Sequence, residues 1–542
     1  MKNGNTVLIV GAGPVGLVLA AQLTIYGIKV RIIEKRQEKM QGSKALGVNA
    51  ASLKAFQQMG VADKFISAGI KIKHIYSYWS KKKLMHIDCD RLSHSPYRYS
   101  IALPQPQSEQ ILEDHLSSLG IQVEKGTELK HLVQNNGGVE ATLHQAPGKI
   151  ETATFEFAIG CDGSRSKVRE LLGVAFEGKN YNAFMRLFDA EIVWKNKQRE
   201  DAHYFIQEEG FLIAIPIPGG LTRIVISENH MPIDLINQKL KKDDYQQILN
   251  KYADEEVMVR EITWESSAPL YNRLASRYRV KRIFLAGDSA HLFSPIGGLG
   301  MNTGIQDARN LAWKLAGVIQ GDYSESMLDT YEIERRRKAE QLIASTDDTT
   351  EIISCGNPGK LSNIQYWLPT MSNRGHFRTT LPHAFSGLSQ VYDSNSIIRK
   401  SSITSAVGGH VPFANLIDGN HQHVTTYQLS DSHLLIAIIF DNDGRHFDCT
   451  RHLMEAYRIT FFAVSEKGLK NIPSAQHNLL DRFATLQKSL AAKEGDVVLI
   501  RPDGYIAYHA ESKDLHALNE MLAEILRGVT QTEKVVCAPD YA

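Results

Sequence analysis

The stretch Arg282–Ala316, RIFLAGDSAHLFSPIGGLGMNTGIQDARNLAWKLA, decides how the fold of this chain is interpreted. Its apolar run Ile283–Ala286 is followed directly by Gly287-Asp288, which predicts a buried strand with a carboxylate at its C-terminal edge. Open α/β sheets bind ligands at that edge. A glycine-rich loop then leads into Asn302–Ala316, whose apolar residues recur at helical spacing. A helix N-terminus offers unpaired N–H groups and partial positive charge, so this loop suits a ring that gains negative charge, as a reduced flavin does.

The composition sets the broad class. The chain has 542 residues, of which 43% are hydrophobic, and a formal net charge of +1. It can bury two or three domain cores, and its charge gives no reason to expect nucleic acid as a partner. Two basic clusters, Lys81–Lys83 and Arg335–Lys338, interrupt this balance. Because Glu332 and Glu334 flank the second cluster on an apparent helix, we predict a solvated face there.

Cysteine usage and the N-terminus bear on location. Five cysteines lie far apart without any CxxC spacing, which predicts a reducing cytoplasm and no structural metal. The apolar run Val7–Leu23 after Lys2 resembles a signal peptide, but three glycines and Pro14 interrupt it. No other run reaches the roughly 18 apolar residues of a membrane span. The expectation is a cytoplasmic protein without stable membrane insertion.

The first 34 residues carry a nucleotide-binding pattern. A β-branched run, Thr6–Val10, precedes the glycine loop Gly11–Gly16 (GAGPVG), and a helix follows. The first glycine permits a tight turn, the second lets the backbone approach a pyrophosphate, and the third allows close packing of helix on strand. A second strand, Val30–Ile33, ends in Glu34, whose carboxylate is placed to bind ribose hydroxyls and disfavours a 2′-phosphate. The pattern predicts FAD or NAD rather than NADP at this loop.

In the middle of the chain the spacing of the apolar residues changes. The segment His74–Ile87 indicates a hairpin, and Gln105 precedes a predicted helix at Glu109–Leu119 and a strand at Ile121–Glu124. Alternating apolar and polar residues within 184–226 predict an antiparallel sheet inserted into the α/β domain. That sheet is a candidate substrate surface, although packing alone explains its aromatic residues equally well.

A second strand, acid and helix module lies at Phe157–Arg169, FAIGCDGSRSKVR. With it, three motifs occur in one order: GAGPVG with Glu34, CDGSRSKVR, and the GDSAHLFSPIGGLGMNTGIQDARNLAWKL segment that begins at Gly287. Together they resemble the class A flavoprotein aromatic hydroxylases, typified by p-hydroxybenzoate, phenol and polyketide hydroxylases. The resemblance extends to longer members through GGHVPFANLIDG at Gly408–Gly419 and VVLIRPDGYIAYH at Val497–His509.

The resemblance implies an α/β architecture with three parts. A Rossmann-like FAD-binding domain of the glutathione reductase type would comprise residues 1–73, 101–175 and 273–400. A mainly antiparallel β-sheet substrate domain would comprise residues 74–100 and 176–272. A thioredoxin-like C-terminal domain would comprise residues 401–542, and without a cysteine pair it is expected to serve packing or formation of a homodimer rather than redox chemistry.

The resemblance also implies roles for individual residues. The ADP half of FAD would contact Gly11, Gly13, Pro14, Val15, Gly16, Glu34 and Lys35. The rest of the cofactor site would include Lys44, Gln105, Asp162, Arg165, Gly287 and Asp288, with Asp288 at the ribityl chain. The isoalloxazine ring, where catalysis occurs, would be bordered by Pro295, Gly298, Gly300, Met301 and Asn302. No residue is expected to ligate a metal.

In this family NADPH or NADH reduces FAD, which reacts with O2 to a C4a-hydroperoxide and transfers oxygen to an electron-rich ring. A Baeyer–Villiger enzyme or an oxidase of the same fold is the alternative. This chain has Lys44 and Ala51 where relatives often carry Arg, which keeps a flavin-bound partner protein without turnover as a third hypothesis. Candidates for a substrate-activating proton relay are His203, Tyr204, Tyr271 and His291, each of which a packing role explains at least as well.

Overall fold

The computed structural model describes residues 7–38, 42, 45–92, 95–135, 137–145, 148–196, 200–228, 236–294, 298–354, 375–399, 406–468, 476–511 and 515–526. Two predicted site residues, Lys44 and Pro295, lie outside these ranges. The chain divides into two compact units, Met1–Trp313 with Tyr331–Gln390 and Lys314–Thr330 with Val391–Ala542. Within the described ranges, no helix is both long and apolar enough to cross a bilayer.

The first unit contains a six-stranded sheet, here called the N-terminal sheet. In spatial order its strands are Arg279–Val280, Ile283–Leu285, Phe157–Gly160, Val7–Val10, Val30–Glu34 and Glu124–Lys125. All neighbouring pairs are parallel except the first. The strands Val7–Val10, Phe157–Gly160 and Ile283–Leu285 are buried throughout, as expected for a sheet covered on both faces.

An eight-stranded sheet, here called the long sheet, follows the predicted inserted region. Its strands in spatial order are His291–Leu292, Val257–Ala275, Phe176–Trp194, Leu221–Glu228, Gly210–Ile217, Ala202–Gln207, His74–Trp79 and Lys82–Asp88. The pair Ala202–Gln207 and His74–Trp79 is parallel, and the other pairs are antiparallel. The predicted hairpin at His74–Ile87 is confirmed, because Ile75 pairs with Ile87.

The two faces of the long sheet bury different residues because side chains alternate along each strand. On one face Phe205 and Ala214 join a cluster with Tyr245 and Leu249 of the helix Lys242–Tyr252, so we call it the helix-covered face. On the other face Tyr204 packs against a cluster that includes Leu46 and Ala102, residues adjacent to the predicted cofactor site. We call this the cofactor-side face.

Smaller sheets and helices complete the first unit. Two three-stranded antiparallel sheets comprise Thr127–Asn135, Gly138–Gln145 and Lys149–Phe155, and Gly47–Val48, Ser100–Ala102 and Ile70–Ile72. The helices are Pro14–Ile25, Ala50–Gln58, Ala62–Ala68, Gln105–Ser118, Lys167–Leu171, Lys242–Tyr252, Leu299–Gln320, Asp329–Ser354 and Gly375–Ser386. Leu299–Gln320 continues into the second unit.

Two helices begin earlier than predicted. The helix that we expected from Glu109 starts at Gln105, because Pro104 ends the extended segment before it and Pro106 is compatible with a first turn. The helix expected from Asn302 starts at Leu299, directly after Gly298, whose φ of +64° suits the turn into the helix. The predicted strand Ile121–Glu124 is wrong, since the observed strand is Glu124–Lys125.

The prediction of a solvated face at Arg335–Lys338 is wrong for Arg335, although Arg337 is exposed. Arg335 is fully buried, and Glu334 is 3% exposed and accepts a hydrogen bond from the Asn310 side chain at 2.7 Å. The carboxylate of Glu332 accepts the backbone N–H groups of Tyr278 and Arg279. Charged residues at helical spacing were interpreted as solvent-facing, but here they have buried partners from distant segments.

The second unit contains a seven-stranded sheet with the order His423–Thr425, Asn415–Asp418, His477–Leu480, Thr460–Ser465, Ile436–Phe440, Val497–Ile500 and Ile506–Ala510. Its three middle strands are parallel, Val497–Ile500 runs antiparallel to Ile436–Phe440, and Ile506–Ala510 runs antiparallel to Val497–Ile500. Helices of this unit in the described part of the chain include Arg445–Cys449, Arg451–Ala456, Thr485–Leu490 and Leu515–Ile525.

Candidate functional site

The candidate site lies at the carboxyl edge of the N-terminal sheet. Three parallel strands end side by side at Val10, Gly160 and Leu285, and backbone hydrogen bonds continue beyond them from Cys161 to Val10 and from Ala286 to Gly160. The loops that follow therefore emerge together. They are the glycine loop Gly11–Gly16, the Asp162 turn and the Asp288 turn, which are the three motifs of the sequence.

The three glycines of the first loop meet different constraints. Gly11 has φ of +105°, and Gly16 has no room for a side chain because a Cβ there would overlap with the carbonyl oxygen of Gly11. Gly13 differs, since a Cβ at this position would meet no atom within 4 Å. Gly13 caps the helix that Pro14 begins, and its φ of −74° is accessible to any residue. The fold therefore requires glycine at two positions, and Gly13 leaves open space beside a helix N-terminus.

Glu34 is held toward the glycine loop. Its Oε2 accepts the backbone N–H of Ala12 at 3.1 Å, and its Oε1 accepts the backbone N–H and the Nε of Arg36 at 3.0 and 2.9 Å. Burial alone would raise the pKa of Glu34, but these hydrogen bonds and the charge of Arg36 hold that pKa below its ordinary value. The carboxylate is thus ionised and oriented, as ribose binding requires. Lys35, beside it, is exposed.

Asp162 binds its own loop. Its Oδ2 accepts the backbone N–H groups of Lys167 and Val168 at 2.6 and 3.1 Å, and its Oδ1 accepts the Ser166 hydroxyl at 2.5 Å. These bonds hold the N-terminus of the helix Lys167–Leu171. Burial nevertheless raises the pKa of Asp162. Arg165, predicted with it, is exposed.

Arg169, which sequence reasoning missed, connects two of the motifs. Its guanidinium donates to the carbonyls of Ser289 and Ser164, both at 2.8 Å, and lies 3.7 Å from the ring centroid of Phe176. Ser289 directly follows Asp288, which is exposed at the sheet edge. A buried arginine thus fixes the Asp162 turn against the Asp288 turn. Arg169 is the last residue of the motif CDGSRSKVR, but the motif did not indicate that Arg169 binds Ser289.

Asn302 fastens the start of the long helix to another segment. Its Oδ1 accepts the Asn49 backbone N–H at 3.0 Å and the Ser52 hydroxyl at 2.8 Å, and its Nδ2 donates to the carbonyls of Gly47 and Gly298 at 2.9 and 3.0 Å. All four bonds are internal to the protein. The side chain therefore orients the loop and helix, and it is the backbone N–H groups of the first turn that remain without an intrahelical acceptor. Gly300 and Met301 lie in that turn, partly exposed.

Replacing Ser52 by alanine tests this clamp. Asn302 would keep its bond from Asn49, so no buried group loses its last partner. We expect the free energy of unfolding to fall by about 1 kcal/mol, as for a typical intramolecular hydrogen bond. Urea unfolding would measure it, with Ser118→Ala as the matched control because the Ser118 hydroxyl donates to a backbone carbonyl in an exposed position. Equal effects of both substitutions would contradict the clamp.

Beneath the Asp288 turn lies a fully buried charge network. The Asp307 carboxylate accepts His291 Nε2 at 2.6 Å, Arg335 Nε at 2.7 Å and the backbone N–H of Gly287 at 3.0 Å. The side chains of Asp307, His291 and Arg335 are 0% exposed. Burial would raise the pKa of Asp307, but the charges and hydrogen bonds of His291 and Arg335 hold it below its ordinary value. In the sequence, Asp307 can be noticed as an acid among the regularly spaced apolar residues of the helix Leu299–Gln320.

The proton-relay candidates are placed apart from one another. His291 belongs to the buried network, and His203 lies on the helix-covered face of the long sheet. Tyr204 lies on the cofactor-side face, where dense packing raises its pKa to about 12. Burial and the charge of Asp288 raise the pKa of Tyr271. Gln105 donates to Glu109 at 2.7 Å, within its own helix.

FAD is the group that the motifs imply, and the described residues fit it. Gly13, Gly47, Gly298 and Gly300 each leave open space where a Cβ would lie, so the backbone on both sides of the site is accessible to a ligand. Glu34 is ionised beside the glycine loop Gly11–Gly16. The helix that begins at Leu299 presents its N-terminus after Gly298. This donor set suits an adenosine ribose, a pyrophosphate and an electron-accepting ring.

Comparison with known proteins also indicates an FAD-binding protein. The FAD binding domain family matches residues 5–346. The 6-methylpretetramide 4-monooxygenase of Streptomyces rimosus is 31% identical over 527 residues, which cover 93% of this chain and 90% of that protein. The dialkyldecalin synthase of Streptomyces rugosporus is 28% identical over 518 residues, which cover 95% of this chain and 98% of that protein.

Among solved structures, aklavinone-11 hydroxylase in a ternary complex with FAD and aklavinone has a TM-score of 0.74 and 21% sequence identity, with 97% of this chain and 99% of that chain covered. This likeness concerns the fold. The family match covers more than half of the chain, and the monooxygenase of Streptomyces rimosus is similar over nearly its whole length. The chain therefore belongs to the FAD-dependent aromatic hydroxylases, the class A flavoprotein monooxygenases.

Proposed function

We propose that this protein uses NADPH or NADH and O2 to hydroxylate a phenolic or polycyclic aromatic substrate. Bound FAD would supply the redox chemistry. The observation that carries the proposal is the convergence of Gly13, Glu34 and Asp288 with the helix start at Leu299 on one sheet edge. The relative from Streptomyces rimosus, named as a monooxygenase, supports oxygen insertion as the reaction class.

The residues of the chain would contribute binding, orientation and exclusion of water. Glu34 would hold the ribose of the ADP half, and Asp288 the ribityl chain. The backbone N–H groups of Gly300 to Asn302 would stabilise negative charge on the reduced ring, helped by the helix dipole. The aromatic substrate would lie against the cofactor-side face of the long sheet, where Tyr204 and its apolar neighbours would exclude water.

The decisive assay is consumption of NADPH and NADH by the purified yellow protein, with and without a panel of phenols and ketones. Peroxide and product mass would be measured alongside. The proposal predicts ring-stimulated consumption, little peroxide and a product heavier by one oxygen. Oxygen insertion into a ketone would instead identify Baeyer–Villiger chemistry, and stoichiometric peroxide without product would identify an oxidase.

A flavoprotein without oxidative turnover is the second candidate, and one observation favours it. The relative from Streptomyces rugosporus is named as a synthase rather than a monooxygenase, and this chain matches it over 98% of its length. Full FAD occupancy with no oxidation of NADPH or NADH by any compound of the panel would support this candidate.

Asp288→Ala is expected to purify largely without FAD. Asp288 is exposed at the sheet edge beside the glycine loop, where its carboxylate would bind the ribityl hydroxyls. The visible absorbance of the flavin relative to the absorbance of the protein would report occupancy. Asp90→Ala, an exposed acid on another segment, is the matched control and should keep its flavin. Full occupancy in Asp288→Ala would exclude the ribityl contact.

We further propose the three-part division into a Rossmann-like FAD-binding domain, an inserted substrate sheet and a thioredoxin-like C-terminal domain. The parallel strands Ile436–Phe440 and Thr460–Ser465, flanked by antiparallel Val497–Ile500 and Ile506–Ala510, support the last assignment. Without a cysteine pair it would act in packing or homodimer formation. The widely spaced cysteines support a cytoplasmic location.

A further inference from the structure

The long sheet contains a small cavity that the proposed chemistry does not use. Its volume is about 70 Å³, and it lies at the strand ends beside Trp194, His203 and Ala214. His203 shares its strand face with Phe205, and Trp194 and Ala214 pack on the same side. Ile217 and Leu221, which also line the cavity, belong to the cofactor-side cluster, so the cavity lies at the end of the sheet and reaches both faces. None of the residues predicted to hold FAD lines it.

Two polar side chains in the cavity wall have no hydrogen-bond partner among the residues that the structure describes. Asp201 is 7% exposed, and within the described ranges its carboxylate makes no hydrogen bond or ion pair. Thr222 is 8% exposed, and no described residue hydrogen-bonds its hydroxyl. Burial raises the pKa of Asp201, and the charge of His74 offsets this only in part. A carboxylate that lines a cavity without a hydrogen-bonded partner can pair with a cation that enters the cavity.

Trp194 and His203 contribute aromatic rings to the cavity wall. Trp194 lies 6.3 Å from His203 and 6.0 Å from Phe205 between ring centroids, and His203 stacks on Tyr76 at 5.6 Å. The remaining walls are aliphatic, with Ile192 among them. The faces of such rings attract cations, most strongly where water is excluded. Carboxylate and aromatic wall therefore favour the same charge in a ligand.

We propose that this cavity is a binding site for a small organic ammonium ion. The cation would pair with Asp201 and donate to Thr222, and its apolar part would lie against Trp194. The volume suits a compact ligand, since one water takes about 10–15 Å³ of such space. The site would recognise a primary amine on a short alkyl chain or a single ring. An alcohol would supply a hydrogen bond to Asp201 but no opposite charge, and an anionic isostere would be repelled by it.

Calorimetric titration of the FAD-loaded full chain tests the proposal. The probes are propylammonium and benzylammonium, with benzyl alcohol and benzoate as isosteres. We expect one equivalent of an ammonium ion to bind and the isosteres to bind at least about tenfold more weakly, the difference that an unpaired buried charge produces. Absence of ammonium binding to the wild type, or equal binding of benzyl alcohol, would overturn the proposal.

Three variants locate the binding. Asp201→Asn should weaken ammonium binding at least about tenfold while FAD content stays constant. Ala214→Leu should abolish binding by filling the cavity and leaves Asp201 unchanged, so it decides the question even if Asp201→Asn does not fold. Glu209→Gln is the control and should bind like the wild type, because Glu209 is an exposed acid on the turn after the strand Ala202–Gln207. Unchanged affinity in Ala214→Leu would place the ligand elsewhere and refute the site.

Discussion

Gly13→Val is expected to give a stably folded protein that cannot hold FAD. No atom lies within 4 Å of a Cβ at this position, and the backbone conformation is accessible to valine. The substituted side chain would instead occupy the space through which a pyrophosphate approaches the loop. We expect at least about a hundredfold loss of FAD affinity, about 2.7 kcal/mol, because the ligand and two methyl groups compete for one volume.

The measurement is FAD titration of the apoprotein, followed by flavin fluorescence, together with urea unfolding of the same apoprotein. Gly419→Val is the matched control, because Gly419 also has open space at its Cβ but lies on an exposed turn of the second unit. It should bind FAD like the wild type. Gly16→Ala gives the opposite contrast, since overlap with Gly11 should destabilise the apoprotein itself. Normal FAD affinity in Gly13→Val would show that the pyrophosphate lies elsewhere.

Asp307→Asn is expected to lower the free energy of unfolding by about 3–5 kcal/mol. The substitution keeps the shape of the side chain but removes the negative charge between Arg335 and His291, all of which are fully buried. Removing one partner of a buried pair leaves an uncompensated charge, which costs far more than losing an exposed ion pair. The Asp288 turn should loosen as well, because Asp307 accepts the Gly287 N–H.

The control for Asp307→Asn is Glu191→Gln, which removes an ion pair to Arg260 that is 42–54% exposed and should cost less than about 1 kcal/mol. The pH dependence gives a second test. Asp307 has a folded-state pKa below its unfolded value, so its contribution is present above the unfolded pKa and is lost as pH falls toward the folded one. The stability difference between wild type and variant should therefore be constant above about pH 5 and shrink below about pH 4. A difference independent of pH would contradict an ionised Asp307.

Several features of the site were predictable because they depend on short spacings. Glu34 reaches the glycine loop because the two strands are adjacent and parallel, which the strand, helix and strand pattern already required. The hairpin at His74–Ile87 followed from its change of period. Helix starts were less accurate, since Gly298 and Pro104 shifted them by three or four residues.

The sequence by itself determined the nucleotide-binding loop, the order of the three motifs and the acids that end their strands. Tertiary structure alone decided the partners of polar side chains, such as Asn302 with Ser52 and Asp307 with Arg335. These pairs are 250 and 28 residues apart, and no local spacing relates them. A charged residue in a sequence resembles a solvated one, because its burial depends on whether a distant segment supplies the opposite charge. For that reason the sequence did not reveal the burial of Arg335, which pairs with Asp307, or of Asp201, which has no hydrogen-bond partner among the described residues.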